Sequence, residues 1–168
     1  MKIKTIIAID PGTRYWGITV LESKNIVISI VKTFKTKGST KHRIQEAKNV
    51  FLSLLDKYVP HILVIEKPFY FWSKQSNCLN KIIEELKNTA KKQKMKVYVY
   101  SPRTVRKAVC NDGNTSKQDA AKVICSVYYP ELKIYLNQNK KYKEIYWGHM
   151  FDSVGLGVCY LKNQEKNK

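Results

Sequence analysis

The sequence predicts an α/β fold: a mixed five-stranded sheet, built from an antiparallel three-strand meander plus two parallel strands, with helices on both faces. Three observations predict it. Strand-length runs rich in β-branched residues fill the first 36 residues, and their connections are too short for a crossover. Two later apolar runs of strand length, 61–66 and 97–100, each follow a stretch with helical spacing. The resulting order, β-β-β-α-β-α-β-α-α-α, suits one sheet covered on both sides.

Each element has a local reason. The first strand, Ile6-Ile7-Ala8-Ile9, carries a carboxylate to its tip at Asp10, where Pro11-Gly12 stops it. Trp16 to Leu21 and Ile26 to Val31 follow, divided by a turn at Ser23-Lys24-Asn25. Gly38-Ser39-Thr40 can cap a helix whose inner stripe is Ile44, Ala47, Phe51, Leu54, Leu55 and Tyr58, ended by Pro60. The run from His61 to Glu66 reads as a strand buried on both faces. Leu79, Ile82, Ile83, Leu86 and Ala90 mark a second helix, and Val97 to Tyr100 the fifth strand. Ser101-Pro102 starts a short helix to about Val109. Ser116-x-x-Asp119 caps another, with Ala120, Val123, Ile124 and Val127 expected inward. Residues 137–144 read as a mobile basic loop, the last helix as starting near His149, and 163–168 as a frayed tail behind a single domain over 1–162.

Composition narrows the function. The 168 residues are 43% hydrophobic and 26% charged, which suits a folded globular chain. No apolar run approaches the roughly 18 residues of a membrane span, and Asp10-Pro11-Gly12 interrupts anything resembling a signal peptide. A cytoplasmic protein is expected: nucleoid-associated in a bacterium, or in a host cell or organelle if viral or organellar. Thirty-one Lys and Arg against thirteen Asp and Glu leave +18, which points to a polyanion such as nucleic acid. A lysine-rich composition bias is the plain alternative, but bias alone does not deplete acids. Cys78, Cys110, Cys125 and Cys159 are widely spaced, which argues for free thiols rather than zinc.

Asp10, Glu66, His149 and Asp152 carry the chemistry. Glu66 ends an apolar strand, where a carboxylate is partly desolvated unless positive charge compensates it. Asp10 and Glu66 both end strands whose carboxyl tips host sites in such sheets. His149 and Asp152 share one side of a helix. Oxygen ligands with one imidazole suit Mg²⁺, with Mn²⁺ substituting, better than zinc. Such a cluster can hold two ions about 4 Å apart for phosphodiester hydrolysis. His149 reads either as a ligand or as a proton shuttle.

Asp10-Pro11-Gly12-Thr13-Arg14, Ile65-Glu66 and His149-x-x-Asp152 together resemble the RuvC family of Holliday-junction resolvases. The segment from Ser101 to Val109, followed by Gly113-Asn114-Thr115-Ser116-Lys117, is similar to that family's basic segment. The likeness runs through nearly the whole chain. It implies an RNase H-like fold, a homodimer, Mg²⁺ dependence with two ions, and paired symmetric nicks across a four-way DNA junction, in recombination and repair. A branch-migration motor is a further implied partner. By position, Asp10, Glu66, His149 and Asp152 become the metal and catalytic set. Arg106 and Lys117 fall where the family neutralises the scissile phosphate. Two departures stand out: many members carry Asp where His149 stands, and the 79–86 helix is bulkier and more charged than the family's.

Arg14, Arg103 and Lys107 join Arg106 and Lys117 as expected DNA contacts. Phe69-Tyr70-Phe71-Trp72 cannot all point inward from an extended segment, and Phe69 is the expected stacking platform for an unpaired base. Between Lys74 and Lys107 ten Lys and Arg face two Glu, although a solvated helix face accounts for most such lysines. Alternative readings are a nuclease for RNA–DNA hybrids or other branched DNA, and a non-catalytic junction-binding protein.

Overall fold

The computed structural model describes residues 4–34, 38–67, 74–136 and 140–166. Strands β1 (Thr5–Pro11), β2 (Tyr15–Glu22) and β3 (Asn25–Thr33) form the expected meander. β4 (Ile62–Glu66) and β5 (Lys96–Tyr100) extend it in parallel, giving the order β3-β2-β1-β4-β5. Helix α1 (Thr40–Tyr58) separates β3 from β4, and α2 (Lys74–Lys92) separates β4 from β5. The chain then runs through α3 (Pro102–Cys110), α4 (Lys117–Val123), a π-helical stretch (Ile124–Tyr128), a 3₁₀ turn (Pro130–Leu132), α5 (Lys133–Leu136) and α6 (Lys140–Lys166).

Alternation along the strands sorts the core into two layers. Ile7, Ile9, Ile18, Val20, Leu63 and Ile65 face one way, against Ala47, Phe51 and Leu55 of α1 and Ile82, Ile83 and Leu86 of α2. Ile6, Ala8, Leu21, Ile62 and Val64 face the other, against α3, α4 and the long α6. The bulky residues of 79–86 therefore turn inward, while Lys81 and Glu84 stay exposed.

Caps stand where the sequence puts them. Ser39, Ser101 and Ser116 each accept from the backbone N–H three residues on. Val59, before Pro60, closes α1 in the left-handed conformation at φ 45°. Cys78, Cys125 and Cys159 are buried, Cys110 is half-buried, and all four are free thiols.

Three expectations need correction. Helix α6 starts at Lys140, not near His149, so 140–144 is helical rather than loop, while 137–139 lies outside the described residues. Lys and Glu are good helix formers, and a polar composition did not make these turns a loop. At its other end α6 runs through Lys166, with Glu165 paired to Lys24 at 2.6 Å, so 163–166 is helical where a frayed tail was expected, while 167–168 lies outside the described residues. Third, Val127 is 65% exposed, while Ala121, Ile124 and Cys125 are buried. The inward stripe is Ala121, Ile124, Cys125 and the half-buried Tyr128, an ordinary helical spacing one residue off from the expected one. Among the described residues no helix is long and apolar enough to cross a membrane.

Candidate active site

Parallel pairing aligns Ile9 with Ile65, so Asp10 and Glu66 come next in register at the carboxyl ends of β1 and β4. By alternation both lie on the α6 face, in line with Ile6 and Ala8 on one strand and Ile62 and Val64 on the other. Asp10 is 5% exposed. Helix α6 crosses this tip and brings His149 and Asp152 to it. His149 Nδ1 and Asp10 Oδ2 are 2.6 Å apart. The contact engages Nδ1 and leaves the other ring nitrogen free of Asp10. Asp152 Oδ2 accepts from Lys117 Nζ at 2.5 Å.

A glycine seats α6 this closely. Gly17 stands opposite Asp10 on β2, and a Cβ there would fall 1.6 Å from the His149 carbonyl oxygen. The strand must lack a side chain at this point for the helix to deliver His149 to Asp10. One layer deeper, Thr19 Oγ1 and Ser153 Oγ lie 2.7 Å apart, tying β2 to α6 through hydroxyls. The turn after Asp10 is held from outside: Trp16 Nε1 donates to the Gly12 carbonyl at 3.0 Å, and Arg43 Nη2 to that of Thr13.

The carboxylates feel one another. Burial, then the charges of Asp10 and Asp152, push the Glu66 carboxyl up to about 8, against the opposing pull of Lys117 and Arg106. Burial and Asp10 likewise raise Asp152 above the usual carboxylate range, with Lys117 and His149 opposing. For the Lys117 ammonium, burial acts downward, but Asp152, Asp10 and Glu66 together outweigh it and raise its affinity for the proton. Three carboxylates clustered here, Asp10 buried and Glu66 and Asp152 half-buried, call for positive charge. Their hard oxygen donors, with one imidazole, fit a divalent ion of the Mg²⁺ type. Among the described residues no three His, Cys, Asp or Glu side chains form a ready-made cage. His149 and Lys117 sit against two of the carboxylates instead.

The basic residues divide. Arg106 is half-buried and donates to the carbonyls of Pro102 at 3.3 Å and Thr115 at 3.1 Å. It thereby clamps the loop that leads into Lys117 at the start of α4, besides lying within electrostatic reach of Glu66. Arg103 and Lys107 are exposed on α3, and Arg103 runs beneath Gly113. Arg14 is exposed, with its guanidinium 5.2 Å from the centre of the Tyr15 ring. Phe69, the expected stacking platform, lies outside the described residues. Sequence reading missed Tyr15, whose ring lies 6.0 Å from that of His149, as well as Gly17, Trp16 and Arg43. Gly17 left a signal: glycine inside a strand marks close backbone approach.

The mixed β3-β2-β1-β4-β5 sheet has the RNase H-like arrangement, with acidic residues at the carboxyl tips of β1 and β4. Residues 6–137 match the family model described as crossover junction endodeoxyribonuclease RuvC, and the chain belongs to that family. A RuvC from Christiangramia forsetii is 25% identical over 170 residues, covering 98% of this chain and 83% of that protein. One from Cytophaga hutchinsonii is 24% identical, covering 94% and 76%. Among solved structures, Thermus thermophilus RuvC in complex with Holliday junction substrate superposes with a TM-score of 0.75, at 15% identity, over 97% of this chain and 96% of that one. The yeast mitochondrial Holliday junction resolvase gives 0.76 at 15% identity, over 98% and 80%. At such identities the structural matches speak for the fold.

Proposed function

We propose that this protein resolves four-way DNA junctions by paired symmetric nicks, acting as a homodimer with Asp10, Glu66, His149 and Asp152 as its catalytic set. The observation that carries the reading is the convergence of three carboxylates at one sheet tip beside Lys117 and Arg106, in a chain of the RuvC family. Asp10, Glu66 and Asp152 would hold Mg²⁺, or Mn²⁺ in its place, and with His149 would accommodate two ions. When bound, the metal supplies Lewis-acid charge at the scissile phosphate and an activated water.

The chain's own groups account for the rest. His149, with Nδ1 engaged by Asp10, is oriented to take or return a proton at its other ring nitrogen. Lys117 and Arg106 offset charge on the phosphate, Arg106 also fixing the loop that aims Lys117. Exposed Arg14, Arg103 and Lys107 track phosphates along the arms, and Phe69 would stack on a base at the junction centre. A branch-migration motor would supply the junctions.

The test is Glu66→Gln, scored for binding and cleavage of a synthetic four-way junction beside the parent. Binding is expected to persist while nicking falls by roughly a hundredfold or more. Nicking at the parental rate would sink the catalytic assignment, and cleavage by the parent in EDTA would sink the metal. Faster cutting of an RNA–DNA hybrid than of the junction would reassign the substrate.

A further inference from the structure

Two of the site's carboxylates already hold a hydrogen-bonding partner from the chain itself, and the two partners differ in kind. His149 is a ring packed beside Tyr15, with a side chain 25% exposed, on a helix whose backbone rests on Gly17. It has little freedom to leave Asp10. Lys117 is the opposite case. Its side chain is 66% exposed although its ammonium touches Asp152, and it hangs on a flexible four-carbon stem.

The backbone beneath Lys117 is fixed. Arg106 holds the Thr115 carbonyl, and Ser116 caps α4 by accepting from the Asp119 N–H. The acid on α4 does not compete for Lys117, because Asp119 is engaged by Lys122 at 2.8 Å and by the Ser116 hydroxyl at 2.7 Å. An anion arriving from solvent can therefore take the ammonium without disturbing the loop. The anion this protein meets is a DNA phosphate.

We propose that Lys117 is an exchangeable counter-ion: it caps Asp152 until a junction phosphate draws it away, and so junction DNA opens the metal site. The inference rests on the reading of Asp10, Glu66 and Asp152 as the metal-holding set. The exchange conserves charge pairing, since the ammonium trades a carboxylate for a phosphate and the carboxylate trades an ammonium for a divalent cation. Any such coupling is reciprocal, so bound metal must tighten junction binding by the factor that the junction tightens metal binding. Ions are thus held back from the DNA-free protein and admitted where a phosphate is in place.

The experiment has two arms. Mn²⁺ affinity of the DNA-free protein is measured for the parent, Lys117→Met, Lys117→Arg and Asp152→Asn. Junction affinity is then measured in EDTA and in Ca²⁺ for the parent and Lys117→Met. A pair with an exposed lysine stem and a half-buried carboxylate predicts that Lys117→Met binds Mn²⁺ about fivefold more tightly than the parent. Lys117→Arg should stay near the parent, and the tightening of junction binding by Ca²⁺ should be about fivefold larger in the parent than in Lys117→Met. Equal Mn²⁺ affinities for parent and Lys117→Met, with Asp152→Asn weakened, overturn the exchange and leave the metal site standing. Equal Ca²⁺ enhancement in both proteins also overturns it. Parental Mn²⁺ binding by Asp152→Asn overturns Asp152 as a metal holder, and the exchange with it.

Discussion

The two faces of the one sheet are built from the same strands and do opposite work. Toward α1 and α2 the sheet presents Ile7, Ile9, Ile18, Val20, Leu63 and Ile65, apolar along its whole length. Toward α6 the chemistry changes along the strands. It begins apolar at Ile6 and Ala8, passes through the Thr19–Ser153 hydroxyl contact, and ends in carboxylates at Asp10 and Glu66. A single step along β1, from Ile9 to Asp10, moves from one regime to the other. One face holds the register, and the other uses that register to aim functional groups.

The largest expected effect comes from forcing the active face apart. Gly17→Ala places a methyl against the His149 backbone, and should cost about 5 kcal/mol or more in urea denaturation and abolish cleavage. Gly148→Ala, where a Cβ meets nothing within 4 Å, is the matched control and should be neutral or slightly stabilising.

On the apolar face, Phe51→Ala should cost about 3–4 kcal/mol because the ring is fully buried. Cleavage per folded molecule should remain parental, measured well below the variant's melting temperature. A loss of cleavage there would show that the two faces are not separable.

A smaller effect sharpens the electrostatic side. Glu66 binds its proton more tightly folded, at about 8, than unfolded, at the ordinary 4.5. At this group the folded state thus carries more proton between those values, and its contribution to metal-free stability falls as pH rises from 4.5 to 8. Asp152 contributes in the same direction. Glu66→Gln should flatten that fall and be more stable than the parent at pH 8, on the order of 2 kcal/mol in EDTA. Parallel stability–pH curves for the two proteins would contradict the clustering of charge at this tip.

Much of this molecule is written locally. The strands, the serine caps at 39, 101 and 116, and the arrest of α1 before Pro60 follow from residues within a few positions of each other. The carboxylate tips of β1 and β4 were legible because an apolar run ending in an acid is costly without a purpose. The start of α6 was not legible, because its first turns carry lysines and a glutamate that suit helix and loop alike. Nor was the outward turn of Val127, because an inward stripe starting at Ala120 and one starting at Ala121 fit this apolar run alike until packing selects the second.

By itself the sequence determined the five strands, the alternation that puts Asp10 and Glu66 on one face, and the family. Only the tertiary structure decided that Arg106 grips the Thr115 carbonyl, that Lys117 rests on Asp152, and that Gly17 exists to admit the backbone of His149. Strand pattern and capping are short-range, set by φ, ψ and neighbouring side chains. The partners of Gly17 and Lys117 lie 132 and 35 residues away along the chain, and only the folded packing brings them within contact.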